Sequence, residues 1–283
     1  MTPLITHLAF TLGCVFALMF ASVQSVRASL SAEEIVRHIQ DKAQSIAESE
    51  NGPTYEYQKR TKLEKMDRAF KETLETKVTI SKVTQKRGVL RSHVISIDGD
   101  PIADPKTGEG KAQSRKNEGP MVVTGGPNKS PWLNHKIISR FVFELTGEET
   151  VAGRKCWVLK FTPKTANLPT GELADRFINR LGGTVVVDQV EFEVARMEVR
   201  LLEKVAILGG LLGNLEHLSL ILARRRLDDG NWIDNSSSTR LSGRKLMSSI
   251  NFRASEESFD IKKSFLKSRI PSENIANTEP SEP

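Results

Sequence analysis

Polar and apolar residues alternate with a period of two over most of the chain from Thr54 onward, and this pattern predicts a fold built mainly from β-strands. The alternation is clear in 194–202, where Ala195, Met197 and Val199 are separated by charged residues. Strands of this kind bury one face and leave the other in water, which is typical of antiparallel sheets. Strands and helices do not alternate along the chain, so a parallel sheet is not expected.

Turn residues divide the alternating region into about nine or ten predicted strands. The predicted segments are 54–58, 74–80, 89–97, 141–145, 157–163, 184–188, 194–202, 217–227, 232–241 and 245–255. Asp229-Gly230 predicts a two-residue hairpin turn between two of them. A sheet of this many strands tends to curl.

One long helix is predicted before the first strand. Ser31 is a good N-cap, Glu34 completes a capping box, and Leu30 with Ile35 forms a hydrophobic staple. Apolar residues then recur at helical spacing until Asn51-Gly52-Pro53 ends the pattern. Shorter helices are predicted at 132–138 and 173–181.

The first 28 residues predict a cleaved secretory signal. An apolar run at 8–20 has the length of a signal core rather than of a membrane span, and Val26-Arg27-Ala28 is the predicted cleavage triplet. The mature chain would begin at Ser29 in the periplasm, with Cys156 as its single cysteine. An internal disulfide is then excluded, and the alternation around Cys156 favours a packed side chain over a reactive thiol.

Composition predicts two regions after the signal. The folded domain spans 29–260, and within it 98–131 is a predicted mobile loop because eleven of its 34 residues are Gly or Pro. The segment 261–283 is too polar to fold by itself and is a predicted disordered tail.

Several functional classes lack support in the sequence. The net charge of +6 is spread along the chain, and the single tight cluster at 224–226 is typical of a solvated strand end, so no nucleic-acid partner is predicted. The chain contains no His-Glu-x-x-His motif, no Gly-x-Ser-x-Gly elbow and no Cys/His cluster. No enzyme activity, metal or cofactor is therefore predicted.

Three segments carry a family resemblance, namely Phe141–Pro163, Gly183–Asp188 and Val194–Val199. They resemble LolA-like proteins, which are periplasmic lipoprotein carriers and their exported, outer-membrane lipoprotein-sorting-like relatives. The resemblance is strongest over 140–235. It implies an α+β, mainly β fold, in which an open, curved antiparallel half-barrel sheet is covered by an N-terminal helix and short helices around an apolar cavity.

Apolar side chains on the predicted inward phases of the strands are the candidate cavity residues. They are Phe141, Phe143, Trp157, Leu159, Phe161, Val185, Val187 and Met197, with Leu211 and Leu212 from a glycine-rich stretch. An ordinary filled core remains the alternative for the first eight. The stretch 206–215 is either a buried bend or an apolar lip that touches a membrane or a cargo.

The sequence thus predicts an exported, non-enzymatic protein that binds a lipid, the acyl chains of a lipoprotein or another amphipathic molecule, with peripheral membrane contact. Trafficking of envelope lipids or lipoproteins would be its task. The alternative is an envelope sensor or scaffold that binds another protein through the same sheet.

Overall fold

The protein folds around one open antiparallel sheet. The structure is a computed structural model and describes residues 30–49, 52–86, 89–102, 135–207, 213–246 and 248–264. Within these ranges twelve strands form one sheet in the order β4-β3-β2-β1-β12-β11-β10-β8-β7-β6-β5, and β9 pairs with β10. The predicted mainly β, antiparallel open sheet is confirmed.

Most strands are longer than the sequence pattern predicted, whereas β3 has the predicted bounds and β8 ends one residue earlier. Their bounds are β1 Thr54–Met66, β2 Thr73–Lys86, β3 Val89–Ile97, β4 Asp100–Pro101, β5 Phe141–Val151, β6 Arg154–Pro163, β7 Leu181–Asp188, β8 Val194–Leu201, β9 Val205–Ile207, β10 Gly213–Arg226, β11 Trp232–Lys245 and β12 Ser248–Ser264. The first strand, β1, pairs with the last strand, β12, so the two lie side by side within the sheet.

The long helix α1 spans Ala32–Glu48 and begins at the predicted capping box. The Ser31 hydroxyl accepts a hydrogen bond from the Glu34 N–H at 3.2 Å, and the Glu34 carboxylate accepts one from the Ser31 N–H at 2.8 Å. These bonds satisfy two of the N–H groups that every helix start leaves without a partner.

Two shorter helices, α2 (His135–Ile138) and α3 (Leu173–Ile178), pack on the same side of the sheet as α1. An ion pair at 2.8 Å between Arg140 and Asp175 joins the residues next to α2 to α3. We call the side of the sheet that carries the three helices the inner face, and the opposite side the outer face.

Three details differ from the sequence prediction. Two short strands, β4 and β9, were not predicted, and β12 continues to Ser264 although the prediction ended it at Ser255. The turn after β10 is longer than the predicted two residues: Leu227 N–H bonds to Asn231 O at 2.7 Å and Gly230 N–H bonds to Leu227 O at 3.0 Å. This pattern is a three-residue hairpin loop, and Gly230 takes a φ of 86° in it.

Only part of the predicted loop at 98–131 can be compared with the structure. Asp98 and Gly99 form a turn, and β4 pairs with the end of β3. Residues 103–131 lie outside the described residues, as do the predicted signal at 1–28 and most of the predicted tail. These assignments stay predictions, although β12 extends past the predicted domain boundary at 260.

Cys156 is completely buried on the outer face, in a cluster with Val186, Ala195 and Trp232. Burial raises the pKa of its thiol, which disfavours the reactive thiolate. The packing role predicted for this side chain is confirmed.

Candidate functional site on the inner face

The inner face is apolar where α1 crosses β6 and β7. Ile35 of α1, Leu159 of β6 and Val187 of β7 belong to one cluster, and each has an exposed fraction of 0%. Val36 and Ile39 complete the buried helical stripe, since they lie at helical spacing on the same side of α1. This part of the inner face is therefore packed core.

A second apolar cluster lies next to the first, beneath α2 and α3. It contains Phe141 of β5, Phe161 of β6 and Met197 of β8, and Phe177 and Ile178 of α3 pack against it. The rings of Phe141 and Phe161 meet edge to face with centroids 5.2 Å apart, a favoured aromatic geometry.

The eight described candidate cavity residues all belong to these two clusters or pack against them. The buried members are Phe141, Leu159, Phe161, Val187 and Met197, and the partly buried members are Phe143, Trp157 and Val185. The structure thus brings together residues that the sequence spaces across four strands. Leu211 and Leu212 lie outside the described residues. The assignment of all ten to a ligand cavity stays a prediction.

The strands that flank the glycine-rich stretch form a narrow hairpin. Val205 pairs with Leu215, and Ile207 pairs with Gly213. Gly213 has a φ of 135°, and a Cβ at this position would lie 2.0 Å from the carbonyl oxygen of Arg244. Glycine is therefore required where β10 begins.

The apolar surface continues beyond the helices onto β10, β11, β12 and β1. Directly opposed residues of antiparallel neighbours share a face, so the pairing register traces rows of side chains across the sheet. Two rows that are apolar except at Thr239 consist of Leu218, Leu241 and Phe252, and of Leu220, Thr239, Ala254 and Leu63. We call these seven residues the inner strip.

Leu218 and Leu220 of the inner strip pack against the helix-covered second cluster, but the rest of the strip has no helical cover among the described residues. The two clusters that contain helix residues include no side chain from β11, β12 or β1–β3. All seven side chains of the strip are partly exposed, whereas Leu159 and Val187 are fully buried. Sequence reasoning missed this surface, because serines and threonines interrupt the apolar pattern of β11.

A polar row borders the inner strip. Leu222, Ser237, Glu256 and Thr61 follow one another across four strands. The Glu256 carboxylate accepts hydrogen bonds from Lys59 at 3.4 Å, from Thr61 at 3.3 Å and from Ser237 at 3.2 Å. The Lys59 and Glu256 side chains are 16% and 14% exposed, so a sheltered ion pair adjoins an apolar surface.

Two tyrosines of β1 close one end of the inner face. Tyr55 and Tyr57 are buried with Val83 of β2, and Leu227 from the β10–β11 turn packs against them. The Tyr55 hydroxyl also donates a hydrogen bond to Asp229 of this turn at 2.5 Å. The turn therefore reaches β1 across β12, the one strand that lies between β11 and β1 in the strand order.

A buried ion pair fixes the turn between β7 and β8. Asp188 is 0% exposed and accepts two hydrogen bonds from Arg154, at 2.5 and 2.8 Å, as well as bonds from the Val190 and Glu191 N–H groups. Burial alone would raise the pKa of Asp188, but the Arg154 guanidinium and the two N–H groups outweigh it and hold the pKa below its usual range.

This turn also supports α1. Phe192 lies within it, and the centroid of its ring is 4.5 Å from that of His38 on α1 and 5.4 Å from that of Trp157 on β6. The Asp188 pair therefore positions an aromatic contact between the helix and the sheet.

The arginine cluster at the end of β10 is largely neutralised. Arg224 pairs with Glu193 at 2.7 Å and with Asp234 at 3.2 Å, and Arg226 pairs with Glu191 at 2.8 Å. Arg225 is exposed, as expected for a strand end.

Neither a metal site nor a membrane-spanning helix is found in the part of the chain that the structure describes. No three His, Cys, Asp or Glu side chains converge there as metal ligands would. None of the described helices is long and apolar enough to cross a membrane.

Comparisons with known proteins give matches among solved structures alone. No family model matches the chain, and no curated protein matches it. One similar structure is a chain from Vibrio parahaemolyticus described as an outer membrane lipoprotein-sorting protein domain. It is 13% identical with a TM-score of 0.40, and the alignment covers 82% of this chain and 93% of that chain.

Two further structures are similar to the chain. A LolA superfamily protein from Nitrosomonas europaea is 12% identical with a TM-score of 0.32, and the alignment covers 84% of this chain and 96% of that one. MucB of Pseudomonas aeruginosa, solved in complex with MucA, is 10% identical with a TM-score of 0.27, and the alignment covers 82% and 99%. The matches include the LolA-like group that the sequence resembles, at identities and TM-scores that carry no function over to this chain.

Proposed function

We propose that this protein is a non-enzymatic periplasmic binder of an amphipathic molecule, such as a lipid or the acylated end of a lipoprotein. The observation that carries the proposal is the inner strip, an apolar surface that continues from the packed core and stays partly exposed. Large uncovered apolar surfaces on soluble proteins commonly mark binding sites.

The inner strip offers an acyl chain a surface that is apolar along two rows except at Thr239. Each methylene group that leaves water contributes about 0.8 kcal/mol, so a chain of about ten methylenes would gain on the order of 8 kcal/mol before the cost of ordering it. The helix-covered clusters, which include the predicted cavity residues Phe161 and Met197, form a rigid wall beside this surface.

The polar row gives the proposed ligand a defined orientation. The Lys59–Glu256 pair and the hydroxyl groups of Thr61 and Ser237 lie one row away from the strip. A ligand whose acyl chain follows the strip would place a polar headgroup near these side chains. A purely apolar ligand would leave them without a new partner, so the arrangement favours an amphipathic one.

Binding of a fluorescent fatty acid to two serine variants tests this proposal. Leu241→Ser places a hydroxyl on the inner strip, whereas Ile221→Ser changes an outer-face residue of β10 that is already 44% exposed. We expect Leu241→Ser to weaken binding at least tenfold and Ile221→Ser to leave it within twofold of the parent. Circular dichroism checks that both variants are folded. Equal affinities for the two variants, or no binding by the parent, would contradict the proposal.

A second candidate function is the binding of an apolar segment of another envelope protein on the same strip. The observation that favours it is the openness of the strip, since all seven side chains are partly exposed. Mass spectrometry of protein purified from a native envelope distinguishes the two. One co-purifying lipid per chain supports the first function. Protein that purifies without lipid and binds no fatty acid would favour the second function, binding of another protein.

A further inference from the structure

A separate polar cleft of about 350 Å³ lies on the outer face, where the β1–β2 loop folds over β11 and β12. Arg240 projects from this face, because its neighbours Thr239 and Leu241 belong to the inner face and side chains alternate along a strand. The cleft is lined by Arg68, Phe70, His217, Arg240, Ser242 and Arg244, among others. Phe70 is its single large apolar side chain.

The loop that builds one wall of the cleft is firmly held. The Asp67 carboxylate accepts hydrogen bonds from the N–H groups of Ala69, Lys71 and Glu72, at 3.2, 2.6 and 3.0 Å. The Asn251 side chain, which is buried, donates to the Asp67 carbonyl at 3.1 Å and ties the loop to β12.

This loop fixes the direction of one arginine. Phe70 has a φ of 55°, a conformation that bulky residues rarely adopt, and its ring lies 4.1 Å from the guanidinium carbon of Arg240. Strained backbone of this kind persists where the surroundings enforce it, and it is common at binding sites. The stacked ring leaves the edge of the guanidinium group free to donate hydrogen bonds.

The arginines of the cleft lack close carboxylates, as do exposed sheet arginines such as Arg91 and Arg200, but the cleft brings three of them to one place. Arg154, Arg224, Arg226 and Arg253 each pair with an acid at 2.5–2.8 Å. Among the described residues, Arg68 and Arg240 form no ion pair, and the nearest carboxylate to Arg244 is that of Glu216 at 4.0 Å. Three guanidinium groups therefore face one cleft with a single acid among them.

We propose that this cleft binds a phosphate group, carried either by a lipid headgroup or by a small soluble molecule. Guanidinium groups match phosphate oxygens with paired hydrogen bonds, and the Ser242 and Ser249 hydroxyl groups add neutral donors at the same place. The polar lining disfavours an acyl chain, so this site is distinct from the inner strip and lies on the opposite face of the sheet.

Isothermal titration calorimetry with inorganic phosphate and with glycerol phosphate tests the site in the whole protein. Arg68→Gln combined with Arg240→Gln removes two cleft charges. The control combines Arg91→Gln with Arg200→Gln, two exposed arginines that form no ion pair within the described ranges and lie outside the cleft. We expect the first pair to weaken binding at least tenfold and the control pair to change it less than twofold.

Sedimentation with vesicles identifies the source of the phosphate. Binding to phosphatidylglycerol but not to phosphatidylcholine vesicles, lost in the cleft variant and kept in the control, assigns the site to an anionic headgroup. Binding of the soluble phosphates with no preference between vesicles assigns it to a soluble ligand. Equal losses of affinity in the cleft and control variants would show that binding depends only on net charge, and this would overturn the site. A parent protein that binds none of the probes would overturn it as well.

Two single variants test the geometry of the cleft. Arg240→Lys keeps the positive charge but removes the planar, paired N–H donors of the guanidinium group. Phe70→Leu removes the ring that stacks on it. We expect each to weaken phosphate binding at least threefold while fatty-acid binding to the inner strip stays unchanged. Unchanged phosphate binding in both variants would show that the geometry of Arg240 and Phe70 does not form a phosphate site.

Discussion

The two halves of the sheet have the same backbone construction but differ in how their inner faces are completed. On β5–β8 the inner side chains are large, apolar and covered by α1–α3, and Leu159 and Val187 are fully buried. On β11, β12 and β1 the inner face holds the partly exposed strip, with the Lys59–Glu256 pair beside it.

Under the proposed function, this difference assigns stability to one half of the sheet and ligand binding to the other. Buried apolar area supplies most of the folding free energy, so the covered half carries most of the stability. A surface that must accept a ligand has to remain accessible in the free protein, and the uncovered half meets that condition.

The largest expected effect is on the covered half. Leu159→Ala should lower the free energy of unfolding by about 4 kcal/mol, because it leaves a cavity beneath α1. Leu63→Ala, the matched change in the inner strip, should cost about 1 kcal/mol because that leucine is already partly exposed. Urea unfolding measures both. Similar losses would show that the two halves are equally packed and would remove the distinction between them.

The next largest effect concerns the ion pair at the end of the covered half. Asp188→Asn should cost about 3 kcal/mol, because it removes the buried carboxylate and leaves the Arg154 guanidinium only Glu191, at 3.7 Å, as a charged partner. The exposed Lys82–Glu56 pair on the other half provides the control. Glu56→Gln should change the unfolding free energy by less than about 1 kcal/mol. A small effect of Asp188→Asn would mean that the turn does not depend on the pair.

A smaller effect is expected at the start of α1. Ser31→Ala should cost about 1 kcal/mol by removing the cap on the Glu34 N–H. Ser45→Ala, in the exposed part of the same helix, should be nearly neutral. Hydrogen exchange should show faster exchange in α1 for the first variant, with no change in β1 or β12. Faster exchange throughout the sheet would instead make the helix essential to both halves.

The smallest effect is a pH dependence in the uncovered half. Hydrogen bonds from Arg253 and Lys62 lower the pKa of Glu64 to about 2 from a usual 4.5. Because the folded-state pKa is lower, the contribution of Glu64 to stability is present above the usual pKa and is lost as the pH falls toward 2. It should amount to about 1 kcal/mol or less, since Arg253 is half exposed.

Comparing the unfolding free energies of the parent and Glu64→Gln across this pH range measures that contribution. The difference between them should be constant at neutral pH and should shrink below pH 4.5. A difference that persists unchanged down to pH 2 would rule out the carboxylate as its cause.

The sequence predicted those parts of the fold that depend on local patterns. The capping box of α1 and the alternation of Met197 and Val199 in β8 are determined by neighbouring residues, and both were correctly placed. The prediction was wrong at Ala195, because a bulge between Val194 and Arg196 puts this residue in the outer-face cluster. The far end of β12 was missed because it is rich in charged residues and is held by pairing with distant β1, as between Phe259 and Gln58. Local composition contains no signal for such a partner.

The candidate sites show the same limit. The sequence singled out the most apolar strands, and the structure places these mainly in the packed half. The alternation of Leu218, Leu220 and Leu222 was a usable signal for the inner strip, but the serines of β11 obscured its continuation. Arg68 and Arg240 line one cleft because Phe70 of the β1–β2 loop packs on Arg240, and no local sequence motif predicts this long-range contact.

The pairing of β1 with β12 also has a consequence for the order of folding events during synthesis. Until Ser248–Ser264 has been made, β1 and β11 are both open edges, and the strands form two separate sheets. Long-range pairing of this kind is slow, and open edges are templates for aggregation. The nascent chain therefore gains its continuous sheet only after Ser248–Ser264 has been made, and β1 and β11 keep unpaired edges until then.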